Sequence, residues 1–171
     1  MQEPLALDGS SLTLDDVAAV AAGAEVRLAP AAAQRMRATQ AAVQRIVREN
    51  TVVYGVTTGF GKLSEIAIPP ERLAELQVNL VRSHAAGVGA LLPVREVRAL
   101  MLLRANVLAK GYSGARPDLA ELLCGMLNAG LHPPVPEQGS VGATGPHAPP
   151  AHPGHAQIGA GVPRDAGGRA P

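Results

Sequence analysis

The sequence predicts a mainly α fold, and three observations carry it. The chain has 171 residues and is 47% hydrophobic, yet it contains one Phe, two Tyr and no Trp. Any core must therefore be aliphatic, built from Leu, Val and Ala, which suits helices. Segments with apolar residues at helical spacing recur from residue 13 to residue 129, most opened by a proline or a capping residue. After Leu131 no leucine occurs in the remaining forty residues, so the material for a core ends there.

Taken in order, the first helix is signalled by Thr13-Leu14-Asp15-Asp16, a hydroxyl at the cap and a carboxylate three residues on. It is expected to run to about Ala22 after a short polar start. The second, Pro30 to about Glu49, places Ala33, Met36, Ala41, Val43, Ile46 and Val47 roughly on one face and Arg35, Arg37, Arg45 and Arg48 elsewhere. From Thr51 to Lys62 the chain turns β-branched and glycine-rich, predicting an extended segment running into an ordered loop. A third helix begins at Pro69-Pro70 with Leu73, Leu76, Leu80 and Val81 inward, and reaches Ser83-His84, with Gly87 and Gly89 closing it. The fourth runs from Pro93 to about Lys110-Gly111 with Val94, Val97, Leu100, Met101, Leu103, Val107 and Leu108 apolar, and Arg95, Glu96, Arg98 and Arg104 on its polar side. The fifth spans about Pro117 to Ala129 and contributes Leu119, Leu122, Leu123, Met126 and Leu127.

The stretch Val135 to Gly145 reads as a loop, since Pro134 and Pro136 oppose regular helix and Gly139, Gly142 and Gly145 permit close backbone approach. Residues 146–171 hold six Pro, five Gly and six Ala against Ile158 and Val162 as branched aliphatics. Such a tail cannot offset its ordering entropy by burial and is expected to be disordered. The division expected is an incomplete domain over residues 1–145 followed by that tail.

Composition excludes several classes. Fifteen basic and fourteen acidic residues, net +1, give no electrostatic case for nucleic acid or a membrane surface. No run of about 18 apolar residues is present to span a bilayer. Cys124 has no internal disulfide partner and reads as a buried, inert thiol; with no leader pattern, a cytoplasmic location is expected. Gly61-Lys62 invites a phosphate-loop reading, but the fingerprint needs Gly and Ser/Thr where Val56 and Leu63 stand. His147, His152 and His155 lack a Cys or carboxylate set to complete a metal site, so no metal is expected.

Four motifs bear a joint resemblance to the aromatic amino-acid ammonia-lyases over about residues 5 to 145: Val53 to Gly61, Leu80 to Gly89, Ser113 to Pro117, and Pro134 to Gly145. The Ser83-His84 pair is similar to histidine ammonia-lyases, where the phenylalanine and tyrosine enzymes carry other residues. The resemblance implies the N-terminal helical part of a fumarase/aspartase-like fold. It also implies elimination of ammonia from L-histidine to urocanate, with Tyr54 as catalytic general base or acid and His84 against the substrate. By the same resemblance Ala143-Thr144-Gly145 would cyclise to a 4-methylideneimidazole-5-one group, with Gly59, Gly61, Gln138 and Gly139 supporting the loop. No metal or diffusible cofactor is implied, and the family forms homotetramers.

The tripeptide chemistry can be argued directly. The third residue's amide must attack the first residue's carbonyl, which favours Gly145; Ala143 is small enough not to crowd the ring; and the middle residue must lose a β-hydroxyl as water. Thr144 has the hydroxyl, but the family's middle residue is serine, and threonine's methyl would leave a more hindered ethylidene. Beyond Gly145 the family's Asp-Leu-Ala-Pro-Leu-Ala-His is replaced by Pro146 to His152. Pro146, Pro150 and Pro153 oppose the helix expected there by about 3 kcal/mol for each interior one. The chain alone is therefore expected to lack independent catalysis. The alternatives are a non-catalytic remnant, or another aromatic amino-acid ammonia-lyase or aminomutase. On position alone, Tyr54 would be an ordinary strand tyrosine and His84 a helix C-terminal dipole partner.

Overall fold

The computed structural model describes residues 3–59, 68–84 and 87–139, leaving aside the side chains of Pro70, Leu80 and Val81. In order these form β1 (Leu5–Leu7), α1 (Leu14–Ala21), β2 (Val26–Leu28), α2 (Pro30–Arg48), α3 (Leu73–His84), β3 (Val88–Leu91), α4 (Val94–Ala109), α5 (Pro117–Asn128) and β4 (Pro136–Gln138), with a 3-10 turn at Pro70–Arg72. The five expected helices are present. Each keeps its apolar periodicity, and α2 and α5 open on prolines in the first turn. The cap of α1 is reciprocal: Asp16 N–H donates to Thr13 Oγ1 at 3.2 Å, while Thr13 N–H donates to Asp16 Oδ2 at 2.9 Å.

The four short strands depart from the expected reading. β1 and β2 pair in parallel, Leu5 opposite Val26 and Leu7 opposite Leu28, with α1 as the crossover. Three residues per strand are too few to show alternation, so Leu5-Ala6-Leu7 passed as part of the polar start. The free edge of β2 is completed by a side chain. Asn128 Oδ1 accepts from Val26 N–H and Asn128 Nδ2 donates to the Val26 carbonyl, both at 2.9 Å, so the amide takes the place of a neighbouring strand. β3 and β4 form an antiparallel ribbon with an irregularity between Val88 and Leu91, so Val135–Gln138 is partly strand where a loop was expected. Gly89 belongs to this ribbon at φ +93° instead of closing α3.

The core gathers β1, β2, α1, α2, α4 and α5 around Leu7, Val20, Val26, Met36, Met101, Leu102, Leu123 and Leu127, all essentially without solvent contact. A buried side chain of this size contributes about 1.5–3 kcal/mol. Arg98, expected on the polar side of α4, is instead 6% exposed. The second half of α2 and the described residues of α3 carry no fully buried residue. Two packing requirements fix the α4–α5 turn: a Cβ on Gly111 would sit 2.9 Å from Arg35 Cβ, and one on Gly114 would sit 2.3 Å from Val43 Cγ2. The tail 146–171, expected to be disordered, lies outside the described residues.

Candidate functional site

Tyr54 sits in a compact turn, not in an extended segment. Val56 and Thr57 N–H both donate to the Val53 carbonyl, at 3.1 and 3.0 Å, and Gly55 takes φ +72°. Two buried threonines hold the turn from inside. Thr57 Oγ1 donates to the Thr51 carbonyl at 2.7 Å and accepts from Val53 N–H at 2.9 Å. Thr58 Oγ1 donates to the Gly59 carbonyl at 3.0 Å and accepts from Gly55 N–H at 3.3 Å. With both hydroxyls turned inward, the Tyr54 side chain projects outward and is 64% exposed. Sequence reading passed over Thr57 and Thr58; the signal available was a β-hydroxyl pair beside glycines, which satisfies a tight turn's backbone groups without a helix or strand.

His84 is the last residue of α3 and is half-buried, with Ser83 Oγ 3.1 Å from its Nδ1. Gln138 ends β4 and Gly139 follows it. The ribbon joins these two regions. Val88, four residues past His84, lies opposite Gln138, and Leu92 N–H donates to the Val135 carbonyl at 2.8 Å. A Cβ on Gly89 would lie 3.1 Å from Glu137 Oε1, so the Glu137 side chain packs over the glycine at this point. Gly59 is buried behind the Tyr54 turn. Gly61 and the tripeptide Ala143, Thr144 and Gly145 lie outside the described residues, as do His147, His152 and His155.

Where the chain leaves the ribbon, on α4 and ahead of Pro133-Pro134, lies a pair that sequence reading missed. Arg98 Nε donates to the Val20 carbonyl at 2.7 Å and Nη1 to the Leu127 carbonyl at 2.8 Å, holding the ends of α1 and α5. Nη1 also lies 3.2 Å from His132 Nε2. A guanidinium only donates, so His132 Nε2 accepts and the imidazole proton resides on Nδ1, which is buried without a partner among the described residues. Burial, and then the Arg98 charge, hold the His132 pKa below its ordinary value; burial likewise lowers that of Arg98. Cys124 is buried and its thiol is pushed up to about 11 by desolvation and by Glu121, so it stays protonated.

Two open grooves of about 370 Å³ flank α1, one lined by Glu3, Asp16, Ala19 and Glu25 and the other by Leu14, Val17, Arg95 and Glu96. Neither includes Tyr54, His84 or Gln138. Among the described residues no group of three or more His, Cys, Asp or Glu is placed to hold a metal, and no helix is long and apolar enough to cross a membrane.

Residues 12–170 match the family described as aromatic amino acid lyase, and the chain belongs to that family. The match runs beyond the tripeptide into the proline-rich segment. Within the family, the chain is 57% identical over 151 residues to the histidine ammonia-lyase of Anaeromyxobacter dehalogenans (strain 2CP-C), covering 88% of this chain and 30% of that protein. It is 50% identical over 153 residues to the histidine ammonia-lyase of Streptococcus pyogenes serotype M49 (strain NZ131), covering 89% and 30%. Among solved structures it superimposes on histidine ammonia-lyase from Trypanosoma cruzi with a TM-score of 0.86 at 38% identity, covering 97% of this chain and 32% of that one. For tyrosine aminomutase from Streptomyces globisporus the TM-score is 0.89 at 37% identity, covering 99% and 32%. The chain thus spans about 30% of the length of the curated relatives it matches.

Proposed function

We propose that this chain is the N-terminal part of a histidine ammonia-lyase, supplying Tyr54, His84 and the prosthetic-group tripeptide for elimination of ammonia from L-histidine to urocanate. The observation that supports this reading most directly is the Ser83-His84 end of α3, joined through the β3–β4 ribbon to the segment that leads into Ala143-Thr144-Gly145. In this reading the His84 imidazole contacts the substrate. The Tyr54 Oη, presented by the turn that Thr57 and Thr58 hold from inside, exchanges a proton with it. The imidazolone ring that Ala143-Thr144-Gly145 would form, the ethylidene counterpart of 4-methylideneimidazole-5-one, would supply an electrophilic alkene. Ala143 and Gly145 suit its formation; Thr144 has the hydroxyl that must leave but adds a methyl at the reacting carbon. Diffusible cofactors and metals have no part in the proposed reaction, which the family runs in an assembly of four copies.

The test is histidine-dependent urocanate absorbance. This chain alone is expected to give none. Protein extended to the full length of the relatives and carrying Thr144→Ser is expected to turn over, and to lose at least a hundredfold in rate on Tyr54→Phe, the lower range for a proton-transfer group. Turnover that survives Tyr54→Phe would remove the role given to that residue. The Thr144 methyl favours a second reading, a non-catalytic member of the family. Turnover by the extended protein with Thr144 unchanged would exclude it.

A further inference from the structure

The Arg98–His132 pair lies at the base of the ribbon, and the chain runs from it to both strands. β3 passes through Leu92 and Pro93 into α4, where Arg98 sits in the second turn. In the other direction, His132 is followed by Pro133 and Pro134, then by buried Val135 and β4. Two consecutive prolines fix their own φ angles and form a stiff link, so displacement at His132 passes to Val135 with little loss. The ring is closed at both ends: Arg98 Nη1 meets His132 Nε2 at 3.2 Å, and Leu92 N–H meets the Val135 carbonyl at 2.8 Å. Both side chains are buried, at 6% and 4% exposure, where contacts are not shared with solvent. Arg98 is itself immobilised by carbonyls from α1, from Ala24 and from α5.

We propose that Arg98 and His132 are positioning residues: the neutral imidazole seated on the fixed guanidinium sets the register in which β4 meets β3, and so the direction in which Gln138-Gly139 leaves toward Ala143-Thr144-Gly145. The purpose of that aim rests on the lyase reading; the setting of β4 does not. Arg98 is the charged group facing His132 from α4, while α1, the turn after it and α5 present the carbonyls of Val20, Ala24 and Leu127 to the same guanidinium. Protonation of Nε2 removes the acceptor and opposes two cations, so the seat is lost below the ordinary imidazole range.

The experiment is amide hydrogen exchange on the 171-residue chain, following Leu92 N–H in the ribbon against Ala29 N–H, which donates to the Leu7 carbonyl at 2.9 Å in the body of the fold. Corrected for intrinsic exchange, Leu92 protection relative to Ala29 is expected to fall below about pH 6.5, by at most about tenfold per pH unit for one linked proton. His132→Gln, whose amide oxygen can accept from Arg98 but does not titrate, is expected to keep the protection and lose its pH dependence. His132→Leu is expected to lower it by about tenfold or more at every pH, the equivalent of one lost buried hydrogen bond. Leu92 tracking Ala29 across the pH range in the unaltered chain, or His132→Gln behaving as His132→Leu, would overturn the proposal. Should His132→Leu not fold, the unaltered chain and His132→Gln decide the matter. Turnover enters nowhere, so a failure of the lyase reading is seen separately, in the urocanate assay.

Discussion

At the scale of single residues, the polar groups that matter most structurally are those that sequence spacing conceals. Thr57 and Thr58 satisfy the Tyr54 turn because one hydroxyl can donate and accept at once. Thr58→Val keeps the shape and leaves Gly55 N–H without its acceptor. A destabilisation of about 1–3 kcal/mol is expected, measured by denaturant unfolding, with the Gly55 amide exchanging faster than the α4 amides. Tyr54→Phe at a 64% exposed site is expected to change stability by no more than about 0.5 kcal/mol, so any effect on a lyase reaction would be separable from folding. The motifs around Tyr54, His84 and Gln138 stand out in the sequence through their resemblance to the ammonia-lyases, not through residue type or position. The Arg98–His132 pair does not stand out, because a single arginine on a helix otherwise flanked by Arg95 and Arg104 carries no mark of being the buried one.

At the scale of elements, the helices were legible because periodicity and capping repeat over many residues. α1 begins at the residue after its predicted cap, and α5 begins on Pro117 itself. Thr13→Ala is expected to cost about 1 kcal/mol, read as a shift in the unfolding midpoint. The strands were illegible for the opposite reason: each has three or four residues, and their pairing depends on partners far along the chain. Asn128 shows this plainly, since no local pattern tells a helix-terminal amide from one that completes a strand edge. Asn128→Ala removes both bonds to Val26, and a loss of about 2 kcal/mol is expected in denaturant unfolding. Asn128→Asp, which can accept from Val26 N–H but cannot donate to its carbonyl, should fall between alanine and wild type at pH 7.

At the scale of the molecule, the apolar faces of α4 and α5 are covered by the chain's own β1, β2, α1 and α2. What stays open is α3, which has no fully buried residue among those described, and outward residues such as Leu103, Val107 and Leu122, which are 45%, 49% and 43% exposed. Stability should also depend on pH through His132. Its pKa in the folded state lies below the ordinary value of 6.5, so the unfolded chain binds more protons between the two. The contribution is fully present above about pH 6.5 and is lost as pH falls toward the folded value, with a slope of at most about 1.4 kcal/mol per unit. His132→Gln is expected to flatten that part of the curve in urea titrations from pH 8 to pH 5.

The amide of Asn128 lies 102 residues beyond the β2 backbone it completes. At a synthesis rate of about 5–20 residues per second, β2 leaves the ribosome roughly 5–20 s before its edge can be finished. Throughout that interval Val26 offers an open N–H and carbonyl beside an apolar strand pair, a template for any passing extended segment. For a nascent chain, the hazard of wrong pairing at the β2 edge ends with the arrival of a single side chain.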